Sequence, residues 1–167
     1  MSSIEFPDWY EDTFVDVESM LIDLFSRLLP GVECGCWSAD DWLDEPEPHP
    51  QLLFFRLPGV RVDYDRFSDV CHVQVAAISP SRDDSWRLID FVRSVILPMQ
   101  GFRIEMADGF TATVWVSDDV SGPELLTPEQ QIDNRVVTAV FYLRVGLRSR
   151  KRYDRFISEL QESSILF

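Results

Sequence analysis

Apolar residues recur at spacings of three and four in some stretches of this chain and alternate with polar residues in others. These two periods divide it into helices and strands. In "DTFVDVESMLIDLFSRLLPG", Phe14, Val17, Leu21, Leu24 and Leu28 form a helical stripe that Met20 and Phe25 widen. The pattern predicts a helix capped by Asp12 or Thr13 and ended by Pro30-Gly31, with Asp16, Glu18 and Asp23 outward. A second helix is predicted in "SRDDSWRLIDFVRSVILPM", with Leu88, Phe91, Val92, Val95 and Ile96 as its stripe, Asp83 as cap and Pro98 at its end. "RSRKRYDRFISELQESSILF" predicts a third, with Tyr153, Phe156, Ile157 and Leu160 on one side.

The period-two stretches read as strands. "VECGCW" is a short one, and "QLLFFRLPG" is a strand followed by a Pro58-Gly59 turn and an extended continuation. "DVCHVQVAAIS" places Cys71, Val73, Val75 and Ala77 on one face and Val70, His72, Gln74 and Ala76 on the other. In "GFRIEMADGFTATVWVSD", Asp108-Gly109 is the dipeptide favoured in tight two-residue hairpins. "DVSGPELLTPEQQIDN", with Gly122, Pro123 and Pro128, reads as a long connection. The longest strand follows, with Val137, Ala139, Phe141, Leu143, Val145 and Leu147 on one face.

These elements give an α+β single domain: a mixed or antiparallel sheet of about four to six strands, covered by two main helices, plus a C-terminal helix. A length of 167 residues suits one domain spanning 1–167, with 1–11 as an acidic N-terminal extension and 149–167 as a helical tail. At 46% apolar and 13% aromatic residues, the composition supports a packed core. The N-terminus lacks a basic start followed by an apolar run, and no stretch reaches the roughly 18 to 20 apolar residues of a membrane helix. A soluble protein that stays where it is made is expected, with no membrane partner.

Charge changes the picture. The formal net charge is −14, yet it is polarised. Arg27 is the lone basic residue in 1–50, whereas 144–155 carries six basic residues against Asp154. An acidic beginning and a basic end suit self-association, with the end of one subunit facing the beginning of its neighbour. Arg148, Arg150, Lys151 and Arg152 are the candidate contact residues at the basic end. In the acidic, proline-rich loop "SADDWLDEPEPHP", Trp42 and Leu43 either tuck back on the core or anchor a partner.

Catalytic and metal-binding patterns do not assemble. Cys71 and His72 are neighbours on a strand and so face opposite ways. His49 sits among acids in a loop, and Asp63 with Asp65 forms a carboxylate pair without a second feature that marks a cleft. No phosphate-binding glycine loop or nucleophile elbow occurs. Cys34 and Cys36 are one residue apart, too close for a zinc knuckle, and an odd count of three cysteines does not make a disulfide framework. They read as three small buried apolar residues. The acids of "DDWLDEPE" lack the ligand alternation and glycine of a calcium loop. The basic run could neutralise phosphates, but a pI near 4.4 repels nucleic acid at long range.

Taken in order, "VESMLIDLFSRLLPGVECGCW", "LLFFRLPGV", "DVCHVQVAAIS", "DSWRLIDFVRSVI" and "VSGPELL" before "NRVVTAVFYLRVGLR" carry a likeness. From about Asp12 to Arg148 the chain resembles the tail terminator proteins of long-tailed bacteriophages, especially those infecting mycobacteria and related actinobacteria. The acidic start, the loop from Ser38 to Pro50 and the tail after Arg148 depart from the compact family pattern.

The resemblance implies a small α/β fold that forms a hexameric ring. Such a ring caps the head-proximal end of the tail tube, stops its polymerisation and offers the surface that joins tail to head. It implies a virion protein assembled in the host cytoplasm, with no catalytic residues, cofactor or metal. Its partners would be itself, the tail tube protein and a neck or head-closure connector, with DNA only as cargo in the channel. The alternatives are another neck component and an acidic inhibitory protein that mimics DNA.

Overall fold

The computed structural model describes residues 4–38, 42–58, 61–125 and 135–164. Its elements, in chain order, are α1 (Val17–Leu28), β1 (Glu33–Gly35), a 3-10 turn (Trp42–Asp44), β2 (Gln51–Leu57), β3 (Val62–Asp63), β4 (Ser68–Ile78), α2 (Arg82–Ile96), β5 (Phe102–Glu105), β6 (Thr111–Leu125), β7 (Val136–Gly146) and α3 (Asp154–Ser164). The strands form one mixed seven-stranded sheet in the order β1-β2-β4-β7-β6-β5, with β3 paired to β4. The β1–β2 pair is parallel and the others are antiparallel. Two of the seven strands are two and three residues long, so the main sheet has the extent that the alternation predicts.

The core forms because the period-two faces of β4 and β7 coincide. Register pairs Cys71 with Leu143, Val73 with Phe141, Val75 with Ala139 and Ala77 with Val137, and all eight are buried under the helices. Leu52 and Phe54 of β2, and Ala112 and Val114 of β6, extend this face. Against it α1 packs Val17, Met20, Leu21 and Phe25, and α2 packs Ile89, Val92 and Ile96. Removing this surface from water supplies the main driving force, at about 25 cal/mol per Å² of apolar area.

The sheet curls, so α1 reaches both of its edges. It contacts β1 and β2 on one side and β5 on the other. Arg27 donates to the Glu105 carbonyl at 2.6 Å, and the Ala107 N–H donates to Asp23 at 2.8 Å. Glu18 likewise accepts the Arg56 N–H at 2.6 Å, so two of the acids expected to point outward in fact tie the helix to the sheet.

Several boundaries differ from the sequence expectation. The first helix starts later, capped by Asp16, whose side chain accepts the Ser19 N–H. Residues before it stay extended because the Thr13 carbonyl accepts the Arg148 N–H at 2.9 Å. Phe14 and Leu28 are therefore largely exposed, and Met20 and Phe25 lie at the centre of the buried stripe. In α2 the cap position is Ser81, and Ile89 replaces the more exposed Phe91 in the core.

The β5–β6 hairpin turns in three residues rather than two. The Gly109 N–H bonds the Met106 carbonyl at 2.9 Å and the Met106 N–H bonds the Phe110 carbonyl at 2.8 Å, enclosing residues 107–109. Gly109 has φ +84°, the left-handed position that closes such a loop. The predicted connection after it is largely strand, since β6 runs on through Gly122 and Pro123. Its register on β7 jumps between Ser121 and Glu124, so the proline sits where no ladder bond is required of it. Gly59 and Pro128 lie outside the described residues, as do the side chains of Leu43 and Leu160.

Candidate functional site: the junction of the two chain ends

The end of β7 and the approach to α1 meet at one end of the sheet. The Arg148 guanidinium, its side chain 16% exposed, bonds the Asp108 carboxylate, approaches Asp12 at 3.8 Å and lies 4.4 Å over the Phe110 ring. Lys151 pairs with Glu11 at 3.0 Å, and Ser149 donates to the other Glu11 oxygen at 3.1 Å. The Tyr153 hydroxyl accepts the Glu11 N–H at 2.9 Å and donates to the Glu11 carbonyl at 2.8 Å. Trp9 stacks on Phe156 and Tyr10 on Tyr153. The acidic beginning and the basic end are thus clasped within one chain.

This clasp perturbs its acids. Hydrogen bonds from Lys151 and then Ser149, with the Lys151 charge, hold the Glu11 carboxyl below the usual range. The Phe110 N–H, and after it Arg148, do the same for Asp108. Both acids are solvent-exposed, so these pairs set geometry more than they add stability.

The four basic candidates divide. Arg148 and Lys151 serve the clasp. Arg150 lies over the Phe67 ring at 4.5 Å on the exposed surface, and the Arg152 side chain is 82% exposed with Asp154 at 3.7 Å. A groove of about 880 Å³ opens beside them, walled by Tyr10, Phe14, Tyr64 and Phe67. Of the acidic-loop candidates, Trp42 is 1% exposed and turns inward onto Leu53, Ala76, Ile78 and Val136, on the sheet face away from the helices. Its indole N–H donates to the His49 carbonyl at 2.9 Å. Between the two expectations for Trp42, the structure shows the inward one.

His49 lies between two carboxylates, bonding Glu33 through Nε2 and Glu45 through Nδ1 at 3.1 Å, while Gln51 also donates to Glu33 at 2.9 Å. Glu33 chiefly, against some desolvation, raises the His49 pKa, and His49 and Gln51 lower that of Glu33. The sequence places His49 only among acids in a loop. Its spacing of four from Glu45 was the available signal, whereas Glu33 comes from β1 and had none.

Chemistry elsewhere is muted. Cys71 is buried and desolvation pushes its thiol up to about 12, so it packs as a small apolar group. Cys36, by contrast, is exposed, which corrects the expectation that all three cysteines are buried. Asp63 is engaged by Arg144 at 3.3 Å and by the Arg66 N–H at 3.1 Å. A depression of about 1060 Å³ beside α2, walled by Trp86, Phe91 and Leu29, contains serines and carboxylates, with neither histidine nor cysteine among its described lining residues. No metal-holding cluster occurs among the described residues, and no described helix is long and apolar enough to cross a membrane.

Residues 13–152 match the family model described as "Phage tail termination protein". No curated protein matches the chain. The matched span contains both main helices and every strand, whereas Trp9, Tyr10, Glu11, Tyr153 and Phe156 of the clasp lie outside it.

Proposed function

Since the chain belongs to the phage tail termination protein family, whose members are structural components of the virion tail, we propose that copies of it close into a hexameric ring on the head-proximal end of the tail tube. The ring ends tube polymerisation and presents the surface that a neck or head-closure connector grips. DNA passes through it as cargo, and its residues catalyse nothing. The phage is of the long-tailed type that infects actinobacteria.

The observation that carries this reading is the extent of the family match, which spans the whole sheet and both helices rather than one motif. The candidate contact surface is the basic end. There Arg150 and Arg152 face outward, while Arg148 and Lys151 hold the N-terminal arm in place. Leu43, beside the buried Trp42, belongs to the candidate contact region at the opposite end of the sheet.

The test is electron microscopy of lysates from a phage with an early stop codon in this gene. Headless tails of overlong, variable length are expected. Tails of normal length that fail to join heads would instead place the protein among the connectors. Normal particles would remove it from the virion and leave an acidic inhibitory role.

A further inference from the structure

We propose that the aromatic groove beside Arg150 and Arg152 receives the acidic, proline-bearing loop at residues 42–48 of a second copy. This names the subunit contact within the ring reading and rests on that reading.

Tyr64 is 66% exposed, Phe14 46%, Tyr10 39% and Phe67 37%. Exposed aromatic rings interleaved with arginines have the composition of a protein-binding surface rather than of an ordinary solvated one. Phe67 is held at φ +48°, a left-handed conformation that a bulky residue adopts at a cost. Its carbonyl accepts the Leu147 N–H at 2.9 Å and its ring carries Arg150, so the strained residue joins the β3–β4 turn to the groove wall.

The loop has the matching chemistry. Asp44, Pro46 and Glu47 are exposed, while Trp42 and the His49 bridge fix its two ends. Residues 42–44 form a 3-10 turn and 45–47 a bend held by the Trp42 and His49 contacts, so the loop is already shaped and has little entropy left to lose on docking. The exposed Pro46 ring can pack on the aromatic wall, and here Asp44 and Glu47 would meet Arg150 and Arg152. The groove also contains Asp65 and Asp154; Lys151 is engaged by Glu11 and Arg152 lies 3.7 Å from Asp154, so Arg150, over the Phe67 ring, supplies the first pairing and Arg152 joins it by exchanging Asp154 for a loop carboxylate.

Position excludes docking within one chain. Trp42 packs on Ile78, at one end of β4, whereas Phe67 precedes Ser68 at the other end. An eleven-residue strand separates them by roughly 33 Å. A loop at one end and a groove at the other make two different surfaces, and contact between unlike surfaces repeats from copy to copy until a ring closes. For a chain of net charge −14, bringing outward arginines to the contact also relieves repulsion between copies.

The experiment uses the full-length protein with Cys36→Ser, since Cys36 is an exposed thiol. One preparation carries Glu47→Cys and another Arg152→Cys. After oxidation, the mixture is expected to give disulfide-linked pairs that neither preparation gives alone. Independently, Arg150→Glu with Arg152→Glu is expected to weaken self-association at least tenfold by sedimentation. Adding Asp44→Arg and Glu47→Arg to the same chain is expected to restore it. Phe67→Asn, with circular dichroism unchanged, is expected to weaken assembly similarly. Rings that form without the mixed disulfide, or that tolerate the arginine reversals, would overturn this contact while leaving the ring reading intact. A wild-type protein that is monomeric at every concentration overturns self-docking, and the stop-codon tails then judge the terminator role separately.

Discussion

Trp9 and Phe156 stack with ring centroids 5.1 Å apart and planes within 9° of parallel, although they come from opposite ends of the chain. Beside them, one hydroxyl, that of Tyr153, satisfies both the N–H and the carbonyl of Glu11. The clasp fixes where the N-terminal arm lies, and therefore how the groove next to it is walled.

Tyr153→Phe removes that hydroxyl and keeps the ring. The arm should detach at a cost of about 0.5–1.5 kcal/mol per lost hydrogen bond, toward the low end because the site is exposed. Limited proteolysis should cut near residues 4–12 faster, while the melting temperature of the core stays within a few degrees.

Acid should open the same clasp. The pKa of Glu11 is lowered in the folded state, so its contribution is present above the ordinary glutamate value and is lost as pH falls through the depressed one. Protection factors of the amides at residues 9–13, corrected for the intrinsic exchange rate at each pH, should fall on acidification below about pH 4.5. In Lys151→Met, which removes the largest cause of the shift, the transition should move upward in pH.

His49 carries the opposite sign. Its pKa is raised, so the stabilisation from its carboxylate contacts is complete below the ordinary histidine value and fades as pH rises through the folded one. Glu33, lowered by the same contact, sets the acid limit of the window. An NMR titration of the His49 ring should give a midpoint above about 6.5, and Glu33→Gln should bring it down. A midpoint unmoved by Glu33→Gln would show that the bridge does not govern the ring.

Phe141 and Phe14 test the register. Phe141→Ala opens a cavity at the centre of β7 and should cost about 3–5 kcal/mol in chemical denaturation. Phe14→Ala, at a largely exposed position, should change stability by less than about 1 kcal/mol. Similar losses for the two would mean that Phe14 is part of the core.

Phe67→Gly removes a side chain from a left-handed backbone. Relief of about 1 kcal/mol should offset most of the lost ring contact with Arg150, so the melting temperature of the monomer should hold or rise slightly. A drop of several kcal/mol would show that the ring is structural.

What the sequence determined on its own is periodic and local. Alternation in "DVCHVQVAAIS" and "VVTAVFYLRV" sorted the residues of β4 and β7 onto the two faces that the structure has, because successive side chains on a strand must point to opposite sides. The existence of α1 and α2 followed from their three-and-four spacing. So did the single α+β domain that the family match covers. Tertiary structure decided wherever a distant partner competed with the local signal. Asp16 rather than Asp12 caps α1 because Arg148 holds Thr13 extended. Pro123 stays in a strand because a register jump on β7 removes the need for its missing N–H. Trp42 turns inward because the sheet face opposite the helices offers Leu53, Ala76 and Ile78 to cover it. The polarity of charge was plain in the sequence, but its use was not. Curling of the sheet brings the end of β7 beside the approach to α1, so Arg148 and Lys151 meet acids of their own chain. Arg150 and Arg152 are the pair left facing outward.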